Sequence, residues 1–151
     1  MFKLDGKVAI ITGAGGGFGE GIAKAYIDSG AQVVVADIRL DAAQRVAKEL
    51  GENARAFEVD VSNGAQVQAL VDFTKETFGA VDIVVNNAAT THKNQPMLGV
   101  TEDEFDKLFA VNVKSIYLMA KSVVPVMREQ KKGVILNIGS VAGIRPRPGL
   151  T

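Results

Sequence analysis

Short apolar runs rich in β-branched residues recur along the 151-residue chain, separated by segments of mixed polarity. They lie at Val8–Ile11, Val33–Ala36, Ala54–Val59, Val81–Val85 and Val134–Leu136; the third is the weakest and the fourth is interrupted by Asp82. Continuous apolar runs of this length are typical of strands covered on both faces in a parallel sheet. The pattern therefore predicts five buried strands.

The segments between these runs have the apolar spacing of amphipathic helices. The predicted helices run from Gly19 to Ser29, from Asp41 to a stop at Gly51, from about Asn63 to Phe78, and from Thr101 past Met119. Asp41 and Gln44 suggest a capping box, and Pro125 should kink or end the fourth helix. Alternation of five strands with four helices predicts an α/β fold with a doubly wound parallel sheet, in one domain spanning residues 1–151.

Composition narrows the possible chemistry. The 17 basic and 17 acidic residues balance, so the chain lacks the basic character typical of nucleic-acid binding. The absence of cysteine and the presence of a single histidine argue against a disulfide scaffold, a thiolate zinc site or a multi-histidine metal site. There is no apolar signal core at the start and no run of 18 apolar residues, so we expect a cytoplasmic protein without a membrane partner.

The strongest local signal is a glycine-rich turn where the first strand leads into the first helix. It reads Thr12-Gly13-Ala14-Gly15-Gly16-Gly17-Phe18-Gly19. Glycines permit positive φ and allow backbone N–H groups to approach a pyrophosphate at the positive end of the helix dipole. The predicted cofactor-binding residues here are Thr12, Gly13, Gly15, Gly16, Gly17, Phe18 and Gly19. An ordinary glycine-rich loop is the alternative.

An acidic residue follows at the end of the second predicted strand. Asp37 lies twenty residues after Gly17, where a carboxylate can accept hydrogen bonds from an adenosine ribose, and Ile38 comes directly after it. This arrangement predicts NAD as the cofactor. NADP is the alternative because Arg39 is close by, although a 2′-phosphate would meet the Asp37 charge. Asp37 could instead only cap a turn before the second helix.

Further motifs in order along the chain resemble the short-chain dehydrogenase/reductase family. Besides the Thr12–Gly19 turn, Asp60-Val61 resembles the family's adenine-binding pair and Asn86-Asn87-Ala88-Ala89 its Asn-Asn-Ala-Gly motif. Asn112 matches the active-site Asn of the long fourth helix, and Ser140 matches the catalytic Ser. The spacing of Gly13, Gly16 and Gly19 also fits the family's extended branch, but the later motifs favour the ordinary dehydrogenase branch. The resemblance implies a Rossmann fold whose five strands have the order 3-2-1-4-5, and it implies that Asn87, Ala88 and Ala89 also line the cofactor site.

The resemblance implies hydride transfer between the nicotinamide and a small-molecule alcohol or carbonyl substrate. Ser140 would hydrogen-bond the substrate oxygen, and Asn112 would hold a water of the proton relay. Alternatively, Ser140 is only a turn residue, and Asn112 is a solvent-facing side chain or a buried one whose hydrogen bonds are satisfied within the protein. The resemblance also implies a homo-oligomer through the fourth helix. Its contact residues would be Ile116, Met119 and Val123, unless these are all core.

The family's catalytic Tyr-x-x-x-Lys motif would fall just beyond Thr151. Tyr117 and Lys121 have the same spacing, but they precede Ser140, and Tyr117 lies about 140° from Asn112 around a helix, so we interpret this match as non-catalytic. We expect the chain to be the cofactor-binding part of a longer protein, without the family's C-terminal strands. A non-catalytic dinucleotide-binding module is the alternative, and a methyltransferase on a similar sheet is a third hypothesis.

Overall fold

A computed structural model describes residues 3–145 and Gly149 of the chain. It contains a five-stranded parallel sheet whose strand order is β3-β2-β1-β4-β5, which confirms the predicted topology. The strands are β1 (Val8–Thr12), β2 (Gln32–Asp37), β3 (Ala54–Glu58), β4 (Ile83–Asn86) and β5 (Val134–Asn137). All five coincide with predicted strands to within a few residues. Strand β5 lies at one edge of the sheet and has exposed apolar side chains such as Val134 and Leu136.

Helices cover both faces of the sheet. They are α1 (Gly17–Asp28), α2 (Leu40–Leu50), α3 (Gly64–Phe78), α4 (Glu102–Phe109) and α5 (Ser115–Gln130). A π-helical turn at Ala110–Lys114 joins α4 to α5, and single 3-10 turns occur at Met97–Gly99 and Val141–Gly143. The third helix follows its prediction closely, because the Asn63 side chain caps it and Gly79 ends it in the left-handed conformation.

The start of α2 differs from its prediction. The helix begins at Leu40, and Asp41 forms no capping box with Gln44 because it already lies in the first turn. The reason is the preceding turn, in which Oδ1 of Asp37 accepts a hydrogen bond from the Arg39 N–H at 3.0 Å. A short Asp-led turn therefore brings the chain into the helix one residue earlier than the spacing suggested.

The predicted fourth helix is interrupted, but not at Pro125. Its break is the π turn at Ala110–Lys114, and α5 continues through Pro125 to Gln130. Met119 before the proline and Met127 after it are both buried against the same core, so packing on both sides holds the proline within the helix. The prediction for Pro125 is a kink or an end of the helix, and of these two the end is wrong.

Two apolar clusters explain why the sheet is buried on both faces. Alternate residues of each strand point to opposite sides, so Ile10 and Val34 pack against α3 and α5, whereas Ala9 and Val33 pack against α1 and α2. The first cluster includes Leu70, and also Met119 and Val123 of α5. The predicted exposure of Met119 and Val123 as oligomer contacts is therefore wrong, and their alternative assignment to the core is confirmed.

The α4–α5 region presents a different apolar face to solvent. This outer stripe, as we call it, consists of exposed residues spaced mostly four apart: Phe105, Phe109, Val113, Tyr117 and Val124. By length and composition alone, the helical run Glu102–Gln130 is apolar enough to cross a membrane. However, Lys114 and Lys121 lie in its middle, and its inner face is packed on the sheet.

At the amino edge of the sheet, Asp82 connects three strands. Its buried carboxylate accepts a hydrogen bond from the Val8 N–H at 3.1 Å, and its backbone carbonyl accepts one from the Val134 N–H at 2.9 Å. The other carboxylate oxygen has no well-directed hydrogen bond but lies 2.8 Å from the Lys132 ammonium. Burial alone would raise the pKa of Asp82, but Lys132, the Val8 N–H and the charge of Lys7 together lower it.

We predict that this contact makes folding stability pH-dependent. Because the pKa of Asp82 is lower in the folded than in the unfolded chain, its contribution is present above the unfolded pKa of about 3.9 and is lost as pH falls further. Lys132→Met should lower the free energy of unfolding at pH 7 by about 1 kcal/mol, because Lys132 is itself half-exposed. Urea unfolding at pH 7 and below pH 4 measures both effects.

The matched control for this prediction is Lys75→Met, which breaks a fully surface ion pair with Glu129. Exposed pairs of this kind contribute less than about 0.5 kcal/mol. Equal urea midpoints for Lys132→Met and Lys75→Met would contradict the assigned role of Asp82.

Candidate functional site

The turn between β1 and α1 leaves the start of α1 open. Gly16 precedes the helix in an extended conformation and no side chain caps it, whereas Asn63 caps α3 and a Thr101–Glu104 capping box caps α4. The first N–H groups of a helix need partners from outside the helix. In α1 these groups belong to Gly17 and Phe18, which line a cleft at the carboxyl edge of the sheet.

Three of the glycines are required by close contacts behind this cleft. A Cβ on Gly13, whose φ is +64°, would lie 2.8 Å from the Ala88 backbone, and one on Gly19 would lie 2.7 Å from the Asn87 amide nitrogen. A Cβ on Gly15 would lie 2.8 Å from an oxygen of Asp37. These separations are below those of real Cβ contacts, so any larger residue would move the turn.

Thr12 joins the ends of β1 and β4. Its buried hydroxyl oxygen accepts hydrogen bonds from the N–H groups of Asn87 at 3.0 Å and Ala88 at 3.1 Å, and the hydroxyl donates to the Val85 carbonyl at 3.3 Å. In return, the Asn87 amide donates to the carbonyls of Thr12 at 2.9 Å and Gly13 at 3.2 Å. Thr12, Gly15 and Gly19 therefore lie beneath the cleft rather than in its wall.

The carboxylate of Asp37 is buried at the end of β2, with the residue only 8% exposed. One oxygen accepts the Gly15 N–H at 2.9 Å and the other accepts the Arg39 N–H at 3.0 Å. Asp37 thus makes the turn contact of the alternative interpretation, and it also lines the cleft. Each carboxylate oxygen can accept a further hydrogen bond, so both remain available to a ligand.

The cleft has a volume of about 660 Å³. It contains most of the predicted cofactor residues: Gly13, Gly16, Gly17, Phe18, Asp37, Ile38, Asp60, Val61, Asn87, Ala88 and Ala89. The residues that sequence reasoning missed are Val59, Thr90, Lys107 and Val111. Lys107 and Val111 are four residues apart, so they lie on one helical face, and Val111 directly precedes Asn112. This spacing is the feature of the sequence that could have identified both residues.

Asp60 is held in place by local hydrogen bonds. Its carboxylate accepts from the Ser62 N–H at 2.9 Å and the Ser62 hydroxyl at 2.7 Å, and its own N–H donates to the Gln66 side chain at 2.7 Å. Both contacts with Ser62 involve the same carboxylate oxygen of Asp60. The turn therefore fixes the direction of a carboxylate that lines the cleft beside Val61.

A second cleft of about 550 Å³ adjoins the first, and both are lined by Ala89 and Thr90. It brings Asn112 and Ser140 together. The Asn112 side chain lies in the π turn, where its amide donates to the Thr90 carbonyl and its oxygen accepts the Thr90 N–H, both at 2.8 Å. The Ser140 hydroxyl oxygen accepts the Ala142 N–H at 3.1 Å and the residue is exposed.

Two further residues, His92 and Tyr117, differ in their position relative to the two clefts. His92 is 8% exposed and lines the second cleft, with Nδ1 donating to the Lys93 carbonyl at 2.6 Å. Two residues before His92, the loop after β4 is held against the π turn by the contact between Thr90 and Asn112. Tyr117 is 61% exposed and lines neither cleft, which agrees with its interpretation as a non-catalytic residue.

A parallel sheet in this strand order, with helices on both faces and its clefts at the carboxyl edge, is a Rossmann-type α/β domain. The family model for short chain dehydrogenases matches residues 7–151. The chain therefore belongs to the short-chain dehydrogenase/reductase family, as its motifs indicated.

Known relatives include dehydrogenases and reductases. The chain is 47% identical to 4-formylbenzenesulfonate dehydrogenase of Comamonas testosteroni, covering 99% of this chain and 60% of that protein. It is 41% identical to galactitol 2-dehydrogenase of Agrobacterium fabrum, covering 95% of this chain and 56% of the relative. The structure of 3-ketoacyl-(acyl-carrier-protein) reductase from Brucella melitensis complexed with NADH matches with a TM-score of 0.95 and 46% identity, covering 98% of this chain and 62% of that one. The chain thus spans about three fifths of the length of these proteins.

We predict that Thr12→Val destabilises the domain. Valine has nearly the same shape but provides no acceptor, so two partly buried N–H groups lose their partner and the free energy of unfolding should fall by about 2 kcal/mol. Urea unfolding measures the loss. Thr12→Ser keeps the hydroxyl and is the control, and equal stability of the Val and Ser variants would show that these hydrogen bonds contribute little.

Proposed function

We propose that the chain carries the coenzyme site of an NAD-dependent oxidoreductase that oxidises an alcohol or reduces a carbonyl compound. The observation that supports this most strongly is the uncapped start of α1 beside the Asp37 carboxylate in one cleft. The cleft volume of about 660 Å³ lies within the range of cofactor pockets. When bound, the nicotinamide supplies the hydride chemistry.

The diphosphate of a dinucleotide suits the glycine turn. Gly16, Gly17 and Phe18 line the cleft, and the first N–H groups of α1 can donate to phosphate oxygens with no competing side-chain cap. The helix dipole adds positive potential at the same point.

Asp37 favours NAD over NADP. A carboxylate accepts hydrogen bonds from ribose hydroxyls but repels a 2′-phosphate, and Arg39 lies 3.9 Å from the same carboxylate with most of its side chain in solvent. The related Brucella reductase is complexed with NADH, which agrees with this preference. On the far side, Ile38, Val61 and Val111 offer apolar walls for the adenine, and Asp60 can accept from its amino group.

The second cleft is the proposed substrate end. The Ser140 hydroxyl accepts from Ala142, which leaves its proton to be donated to a substrate oxygen. The Asn112 side chain holds the Thr90 backbone and keeps one N–H and one oxygen lone pair with which to bind a water of the proton relay.

A non-catalytic dinucleotide-binding module is the second candidate function. It is favoured by one observation: among the described residues, neither tyrosine lines the cleft that contains Ser140. NADH binding without hydride transfer would support it.

The proposal also includes association of two copies through the outer stripe. Its apolar side chains are exposed along α4 and α5, the acidic residues Glu102 and Asp103 lie at one end, and Lys121 and Arg128 lie toward the other. Antiparallel pairing of two copies would cover the apolar residues and place each acidic end beside a basic one.

We predict that Asp37→Ala weakens NADH binding about tenfold or more, because the ribose hydroxyls lose a charged acceptor. NADPH binding should weaken less or improve, since the charge that opposes its phosphate is gone. Titration by NADH and NADPH fluorescence measures both constants. Asp41→Ala, on the exposed first turn of α2, is the control and should leave both unchanged. Unchanged NADH affinity in Asp37→Ala, with no gain for NADPH, would refute the ribose assignment.

We predict that Tyr117→Glu separates the proposed dimer into monomers by placing a charge in the middle of the outer stripe. Sedimentation should give about twice the 15.9 kDa chain mass for the unmodified chain and the single mass for the variant. Ala69→Glu adds the same charge at an exposed position of α3 and should remain dimeric. A monomeric unmodified chain at micromolar concentration would contradict the proposed association.

A further inference from the structure

Arg45 of α2 contacts the glycine turn from outside the cleft. One nitrogen of its guanidinium donates to the Gly15 carbonyl at 3.2 Å and to the Glu20 carboxylate at 2.9 Å. Its second terminal nitrogen donates to Glu20 at 3.2 Å and to Glu49 at 3.1 Å. The N–H of the same Gly15 is bound by Asp37, so both polar groups of this residue are held by side chains.

Glu20 is the acidic residue in the first turn of α1. A carboxylate there stabilises a free helix, but it opposes any second anion at the same helix end. The two-point contact with Arg45 offsets this charge, and the Arg45 hydrogen bond is also the main cause of the lowered pKa of Glu20. Glu20 therefore stays ionised while its field is balanced by the guanidinium.

We propose that Arg45 is a positioning residue for the coenzyme: it holds the Gly15 carbonyl and neutralises Glu20, so that the first turn of α1 attracts a diphosphate. This inference rests on the proposed function of the cleft. Arg45 does not line the cleft, and it acts through the turn and through the charge of Glu20. Without the positive charge of Arg45, Glu20 would leave an unbalanced negative charge next to the turn.

The test compares NADH dissociation constants at low ionic strength for four forms of the 151-residue chain. Arg45→Met should weaken NADH binding about fivefold, because the methionine keeps the apolar stem but leaves Glu20 unbalanced. The double variant Arg45→Met/Glu20→Gln should return to within about twofold of the unmodified chain. Glu49→Gln removes the Arg45 partner that is remote from the turn, and it should leave binding unchanged.

Recovery in the double variant separates this role from a merely structural one. If Arg45 only braced α1 against α2, removing its remaining partner would not restore affinity. A double variant as weak as Arg45→Met, or an Arg45→Met that binds like the unmodified chain, would overturn the proposal for Arg45 while leaving the coenzyme site in place. Failure of the unmodified chain to bind NADH would contradict the proposed function together with this inference.

Discussion

The architecture of the site depends on the junction between the carboxyl ends of β1 and β4. Thr12 accepts hydrogen bonds from two consecutive N–H groups after β4, and Asn87 returns two hydrogen bonds to the end of β1. Because Gly13 and Gly19 have no side chains, the two chain segments can approach closely enough for this exchange. The junction sets the floor of the cleft, so the open start of α1, Asp37 and the loop that contains Thr90 all take their positions from it.

Electrostatics then decide what the cleft can hold. The start of α1 offers unpaired donors and a positive dipole, and Asp37 beside it offers acceptors. Such a pair matches a ligand with an anionic centre and neighbouring hydroxyl groups, which is the chemistry of a dinucleotide. The acidic Glu20 would disturb this match if Arg45 did not bind it. The neighbouring cleft, with Ser140 and Asn112, continues from the same loop, and in the proposed function it would hold the substrate next to the coenzyme.

Much of this arrangement could be predicted from the sequence, because it depends on local signals. Continuous apolar runs identified all five strands, and the glycine turn followed by an acid after β2 located most of the cleft. The errors arise where distant packing overrides local preference. Pro125 stays within α5 because the residues around it are buried, and Met119 and Val123 lie in the core because their face of α5 packs on the sheet. Arg45 connects α2 with the glycine turn and with α1, and no residue spacing in the sequence predicts this contact.

The most direct test of the central claim is a titration of the 15.9 kDa chain with NADH, followed through its backbone amide signals in solution. The claim is that the uncapped start of α1 binds the diphosphate. It predicts that the amides of Gly16, Gly17 and Phe18 shift most, saturably, together with that of Gly15 next to Asp37. Saturable binding that leaves these four amides unmoved, with the shifts confined to other surfaces, would contradict it.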